Sequence, residues 1–157
     1  MKVHYSSNSN EWYTPNDLYE KLNMEFKFNL DPCATKENAK CDKFYTKRDD
    51  GLSKKWSGRV FVNPPYGREI GKWVEKSYKE SLTEDVELVV MLIPSRTDTK
   101  YWHEWIFGKA SVINFFKGRL KFGGSNNSAP FPSALVVFNK KSSGTMYHTI
   151  NTKGEII

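Results

Sequence analysis

Hydrophobic positions along the chain keep two different rhythms. Across 68–82 the residues Ile70, Trp73, Val74, Tyr78 and Leu82 recur at helical spacing with Lys and Glu between them, which predicts an amphipathic helix laid on a sheet. Across 87–93 the run Glu-Leu-Val-Val-Met-Leu-Ile is almost wholly apolar and of strand length. That is the pattern of a parallel strand covered on both faces, and Pro94 ends it. Earlier, 59–63 is β-rich and closed by Pro64-Pro65, residues that cannot donate to a ladder. A short strand over 28–31 stops at Pro32 and carries Asp31 at its carboxyl end.

The flanking segments add helices and turns. Trp12-Tyr13-Thr14-Pro15-Asn16-Asp17-Leu18 reads as a helix start, with Thr14 as the cap, Pro15 in the first turn, Asp17 returning a hydrogen bond to the backbone, and Leu18, Tyr19 and Leu22 as the buried stripe. A shorter helical pattern over 101–107 stops at Gly108, and 111–116 and 134–138 supply two further strands. Between those strands Lys117-Gly118-Arg119-Leu120 predicts a tight turn and 123–128 a flexible loop. The expected fold is therefore α/β: one domain over 11–157, with a mostly parallel sheet and antiparallel strands at its C-terminal end, behind a polar, mobile segment over 1–10. Such sheets bind ligands beyond the carboxyl ends of their strands. Asp31, Asn63 and 94–98 all fall there, so a single crevice is expected.

Composition changes this picture at a few points. A chain of 157 residues, 38% hydrophobic and 27% charged, suits one soluble globular core. No apolar run approaches the roughly 18 residues of a spanning helix, and the amino terminus has no secretion-like apolar stretch, so the cytoplasm is the expected compartment. Cys33 and Cys41, with His4, His103 and His148, lack the spacing of a zinc site, which predicts free thiols and no metal. Twenty-four Lys and Arg against eighteen Asp and Glu leave +6, a balance that suits a polyanionic partner and ordinary solubility alike.

Asn63-Pro64-Pro65-Tyr66, directly after an apolar strand, is the most informative tetrapeptide. A rigid turn is the plain explanation, since Asn and Pro favour turns. The combination of strand end, two prolines and an exposed aromatic also serves one kind of chemistry. An amine attached to a purine is a poor nucleophile because its lone pair is delocalised into the ring. Two acceptors aimed at its N–H bonds favour the pyramidal nitrogen that attacks a sulfonium methyl. Asn63 offers its side-chain oxygen, Pro64 a carbonyl held by the fixed proline dihedral, and Tyr66 a ring to stack on the base.

Here the chain resembles the amino-methylating DNA methyltransferases, and among them the compact adenine methyltransferases common in bacteriophages. The resemblance rests on Trp12-Tyr13-Thr14-Pro15, on Leu30-Asp31-Pro32-Cys33-Ala34 with Glu37-Asn38-Ala39, on Asp49-Asp50-Gly51-Leu52 ahead of Trp56, on Asn63-Pro64-Pro65-Tyr66-Gly67, and on Pro94-Ser95-Arg96-Thr97-Asp98-Thr99. It implies a Rossmann-like domain that uses S-adenosylmethionine. It also implies that Tyr13, Thr14 and Pro15 contact the methionine part of the cofactor, that Asp31 holds its amino group beside Cys33, and that Asp49 or Asp50 meets its ribose or adenine ring. In the wider family a glycine-rich turn follows the first strand; here the sequence is Asp31-Pro32-Cys33-Ala34-Thr35.

Arg96, and the alternation of Lys117, Arg119 and Lys121 with Phe115, Phe116 and Phe122, are the candidate nucleic-acid contacts; an amphipathic hairpin explains the alternation equally well. The function expected is site-specific transfer of a methyl group to the 6-amino group of adenine in DNA, on a base flipped from a duplex or met in single-stranded form. No separate target-recognition domain is expected. Two other readings stay open: the same chemistry on RNA adenine, cytosine or protein glutamine, and a catalytically silent nucleic-acid-binding protein.

Overall fold

The apolar run around 87–93 is the central strand of one sheet, Val86–Pro94, in which Glu87 alone is exposed. The computed structural model describes residues 12–157, so the mobile segment expected over 1–10 lies outside the described residues. In chain order the elements are α1 (Asn16–Phe26), β1 (Leu30–Asp31), β2 (Lys43–Phe44), β3 (Gly58–Val62), α2 (Ile70–Ser81), β4 (Val86–Pro94), β5 (Val112–Phe116), β6 (Ser133–Phe138) and β7 (Met146–Ile150). The strands form one seven-stranded sheet in the order β2-β1-β3-β4-β6-β5-β7. Every neighbouring pair is parallel except the two that involve β6, which runs against both β4 and β5. The expected mostly parallel α/β sheet with antiparallel pairing in its C-terminal part is therefore present; the reversal is confined to β6, lodged between β4 and β5.

Burial explains why these segments fold as they do. β3 buries Val60, Phe61 and Val62 beside β4, where Val89 to Ile93 are wholly shielded from water. α2 packs over β4 and β6 and buries Ile70, Trp73 and Val74, and Ser77 and Ser81 extend its buried stripe where small side chains let the helix approach closely. Leu82, counted in the apolar stripe, lies just past the helix and is exposed. α1 buries Leu18, Tyr19 and Leu22 as expected. The 101–107 segment is π-helical over Trp102–Ile106, with Trp102 buried and its indole N–H donating to the Pro94 carbonyl at 3.2 Å.

Two elements correct the expectations. Pro15, with extended backbone angles, takes the N-cap position of α1, and no side chain among the described residues caps that helix. Thr14, the expected cap, has its hydroxyl engaged elsewhere. Asp17 accepts from the N–H of Leu18 rather than reaching back across a turn.

Candidate active site

The chain leaves β1 for the edge strand β2 on one side and then returns to β3 on the other, so β1 and β3 flank the switch point of the sheet. Crevices open at such points because successive connections diverge from one another. Asp31 closes β1, and Asn63 follows β3 directly. Both line a cleft of about 630 Å³, within the usual range for a small-molecule site. Thr14, Tyr13, Cys33 and Asp50 also line it, as do Pro64 and Pro65. Most of the residues singled out in the sequence for cofactor and chemistry thus meet at one place.

Asp31 is the ionisable group buried most deeply there. Its carboxylate accepts the backbone N–H of Cys33 at 3.3 Å and that of Lys40 at 3.0 Å. Burial pushes its pKa up to about 6, although both hydrogen bonds and the Lys40 charge pull the other way. It is a carboxyl poised to gain a cationic partner, since an arriving positive charge restores the ionised form.

The glycine that permits close backbone approach comes from a different loop than the one after β1. A Cβ on Gly51 would stand 2.0 Å from the Pro32 carbonyl oxygen, so the 51 loop presses directly on the turn that follows Asp31. Asp50 precedes it with φ 60°. Asp49 does not line the cleft: it is exposed, and its carboxylate accepts the Thr46 N–H at 2.9 Å, one of the bonds that hold its pKa low. Pro15 lies in a neighbouring recess together with Lys121 and Gly123.

Asn63 has the most defined surroundings. Its amide nitrogen donates to the Trp12 carbonyl and, at 3.0 Å, to the Thr14 hydroxyl oxygen. The Trp12 oxygen carries no hydrogen, which settles the amide orientation: the reverse would set two acceptors against each other. Asn63 Oδ1 is then left buried with no hydrogen-bond partner among the described residues. Such an atom costs roughly 1–3 kcal/mol unless something satisfies it.

Tyr66 is a correction. The sequence suggested an exposed ring; the structure buries it at 5% exposure, enclosed edge-on by Phe122 at 6.2 Å and Phe131 at 5.6 Å. Its hydroxyl donates to the Leu92 carbonyl on β4 at 3.0 Å. Phe116 and Phe122 are likewise buried, so the basic and aromatic alternation over 115–122 does not present those two rings to bases. Lys117, Arg119 and Lys121 are exposed. Arg119 donates to the Ala129 carbonyl at 3.3 Å, and Arg96 lies over the Phe131 ring at 5.7 Å. Through Phe131 and Phe122 the basic segment therefore reaches the Asn-Pro-Pro-Tyr turn.

Sequence reasoning did not assign Trp12, Lys40, Gly51 or Phe131, and it offered Phe122 as a nucleic-acid contact rather than as part of the aromatic cluster around Tyr66. Trp12 and Gly51 stood inside recognisable motifs, so their position was signalled; no spacing pointed to Lys40 or Phe131.

A mostly parallel α/β sheet with one reversed strand, and an Asn-Pro-Pro-Tyr turn over the cleft at its switch point, define a methyltransferase-type domain. The chain belongs to the DNA N-6-adenine-methyltransferase (Dam) family, which it matches over residues 3–155. It is 27% identical over 163 residues to the DNA N-6-adenine-methyltransferase of Haemophilus phage HP1 (strain HP1c1), covering 94% of this chain and 93% of that protein. It is 32% identical over 106 residues to the DNA N-6-adenine-methyltransferase of Escherichia phage T1, covering 65% of this chain and 43% of the other. Among solved structures it superposes on a chain assigned as the modification subunit of a type I restriction enzyme from Vibrio vulnificus YJ016. There the TM-score is 0.58 and the identity 11%, over 89% of this chain and 47% of that one, a likeness of fold.

Among the described residues no helix is long and apolar enough to cross a membrane, and no cluster of His, Cys, Asp and Glu could hold a metal.

Proposed function

We propose that this chain methylates the exocyclic 6-amino group of adenine in DNA with S-adenosylmethionine as donor, and that one α/β unit serves both cofactor and DNA. The single observation that carries this reading is the buried, unpartnered Oδ1 of Asn63, a residue of the cleft wall whose amide nitrogen is already engaged.

The residues present fit the cofactor. Asp31 offers a buried carboxylate to its amino group, and Asp50 reaches the cleft from the opposite loop for a ribose hydroxyl. Tyr13, Thr14 and Cys33 complete the wall beside them. When bound, S-adenosylmethionine supplies an electrophilic sulfonium methyl.

The chain's own contribution is to prepare the amine. Asn63 Oδ1 accepts one N–H of the target amine and the Pro64 carbonyl the other, so the nitrogen lone pair leaves conjugation with the ring and becomes nucleophilic. Buried Pro64 keeps its carbonyl in place because its own ring fixes φ and the following Pro65 restricts ψ. Tyr66 braces this turn against β4 through the Leu92 carbonyl. It stacks on a base only once Phe122 and Phe131 part from it. Extruding the base from a duplex costs a few kcal/mol, and stacking would return roughly 1–3 kcal/mol. Lys117, Arg119, Lys121 and Arg96 bind the phosphate backbone.

The test is direct. The protein is incubated with methyl-labelled cofactor and DNA, and the DNA is digested to nucleosides for mass spectrometry. Label in N6-methyladenine is expected; label confined to cytosine, or to RNA or protein offered in parallel, would overturn the reading.

A further inference from the structure

We propose that Thr14 is a positioning residue for the Asn63 amide: its hydroxyl oxygen, with the Trp12 carbonyl, engages the amide nitrogen and thereby commits the opposite oxygen to the target amine. The inference rests on the reading of Asn63 as the acceptor. It gives Thr14 a task separate from any contact with the cofactor.

Two partners converge on one nitrogen from a segment about fifty residues away in the chain. Trp12 supplies a pure acceptor, and Thr14 Oγ1 stands 3.0 Å from the amide nitrogen. An –NH2 group has two hydrogens, so two acceptors exhaust it. Rotation about the last side-chain bond would break both bonds and bring Oδ1 against the Trp12 oxygen, which leaves one stable orientation. Thr14 is 5% exposed, so water does not compete for its hydroxyl.

The segment itself is held firmly. The Trp12 ring packs edge-on against Phe131 at 5.1 Å and Phe122 at 5.8 Å, and the Tyr13 carbonyl accepts the Gly123 N–H at 2.8 Å. These are the two phenylalanines that also enclose Tyr66. One aromatic cluster therefore secures both the support of Asn63 and the ring beside it.

The experiment compares Thr14→Val, which keeps the shape and removes the acceptor, with Thr14→Ser, which restores it. Thr14→Ala replaces the valine variant if that one fails to fold. Three readouts are taken on the full chain: solvent exchange of the Asn63 side-chain NH2 signals by NMR, identified as the pair absent from Asn63→Ala; affinity for S-adenosylhomocysteine by calorimetry; and single-turnover methylation of duplex DNA. Thr14→Val should speed the exchange and slow methylation at saturating cofactor, each about tenfold or more, with the loss of rate exceeding any loss of product affinity. Thr14→Ser should behave as wild type in all three.

Unchanged exchange in Thr14→Val would overturn the proposal, as would equal losses in the serine variant. A rate loss matched by an equal loss of product affinity would overturn it too, by assigning Thr14 to the cofactor alone. An Asn63→Ala variant with an unaltered rate would overturn the reading of Asn63 as the acceptor and the proposal with it, whereas normal behaviour of Thr14→Val beside a crippled Asn63→Ala would overturn the proposal only.

Discussion

The Tyr66 hydroxyl donates to the Leu92 carbonyl at 3.0 Å, tying the turn that follows β3 to the neighbouring strand β4. With the ring enclosed by Phe122 and Phe131, this bond is shielded from water. Tyr66→Phe should therefore lower stability by about 0.5–1.5 kcal/mol, and Tyr66→Ala by about 3–5 kcal/mol through the cavity it leaves. Urea denaturation measures both. A phenylalanine variant as stable as wild type would show that the hydroxyl contributes nothing to holding the turn.

If Asp31 holds the cofactor's amino group as proposed, cofactor binding should depend on pH. Its pKa, raised to about 6 by burial, lies above the unfolded value of 3.8, so between these values the folded chain holds the extra proton. The stability this group contributes is thus complete below about pH 4 and is lost as pH rises through about 6. Binding of the cationic methionine group should run the opposite way, because in the proposed site it needs the carboxylate. Affinity for S-adenosylhomocysteine should weaken as pH falls below about 6, approaching tenfold per pH unit, with proton release on binding at about pH 5.5. Asp31→Asn should bind weakly and show neither effect. Calorimetry in buffers of different ionisation enthalpy measures the proton release; affinity flat from about pH 5 to about pH 8 would place the amino group elsewhere.

The exposed cations Lys117, Arg119 and Lys121 should report on DNA through salt. Replacing all three by Ala should weaken binding of a short duplex and flatten the logarithmic salt dependence by about 0.9 for each phosphate no longer neutralised. Fluorescence anisotropy across a salt series checks it. An unaltered slope would assign the three residues to solvent.

Much of this fold was legible because burial writes itself into sequence. β4 reads as a continuous apolar run since it is covered on both faces, and α2 as a stripe since only one face packs. β2 spans two residues, too short for any rhythm, and β7 (Met-Tyr-His-Thr-Ile) is an edge strand with only its last residue buried, so neither left a pattern. In the cleft, Asp31 and Asn63 were readable because strand ends and prolines mark them. The errors at Thr14 and Tyr66 share one cause: Asn63 claims the Thr14 hydroxyl from forty-nine residues away, and Phe122 and Phe131 cover Tyr66 from beyond β5. Local rules for caps and turns contain no information about partners so distant. The same holds for Gly51, whose lack of a side chain matters only because Pro32 lies against it.

The proposed chemistry rests on Asn63, and Asn63→Ala removes the unpartnered acceptor from the position just after β3. Single-turnover methylation of adenine in duplex DNA, at saturating cofactor, is the most direct measurement. The rate should fall on the order of 100- to 1000-fold, roughly 3–4 kcal/mol, while affinity for S-adenosylhomocysteine changes little. A folded Asn63→Ala variant that methylated adenine at a near-normal rate would contradict the acceptor role and reduce Asn-Pro-Pro-Tyr to a structural turn.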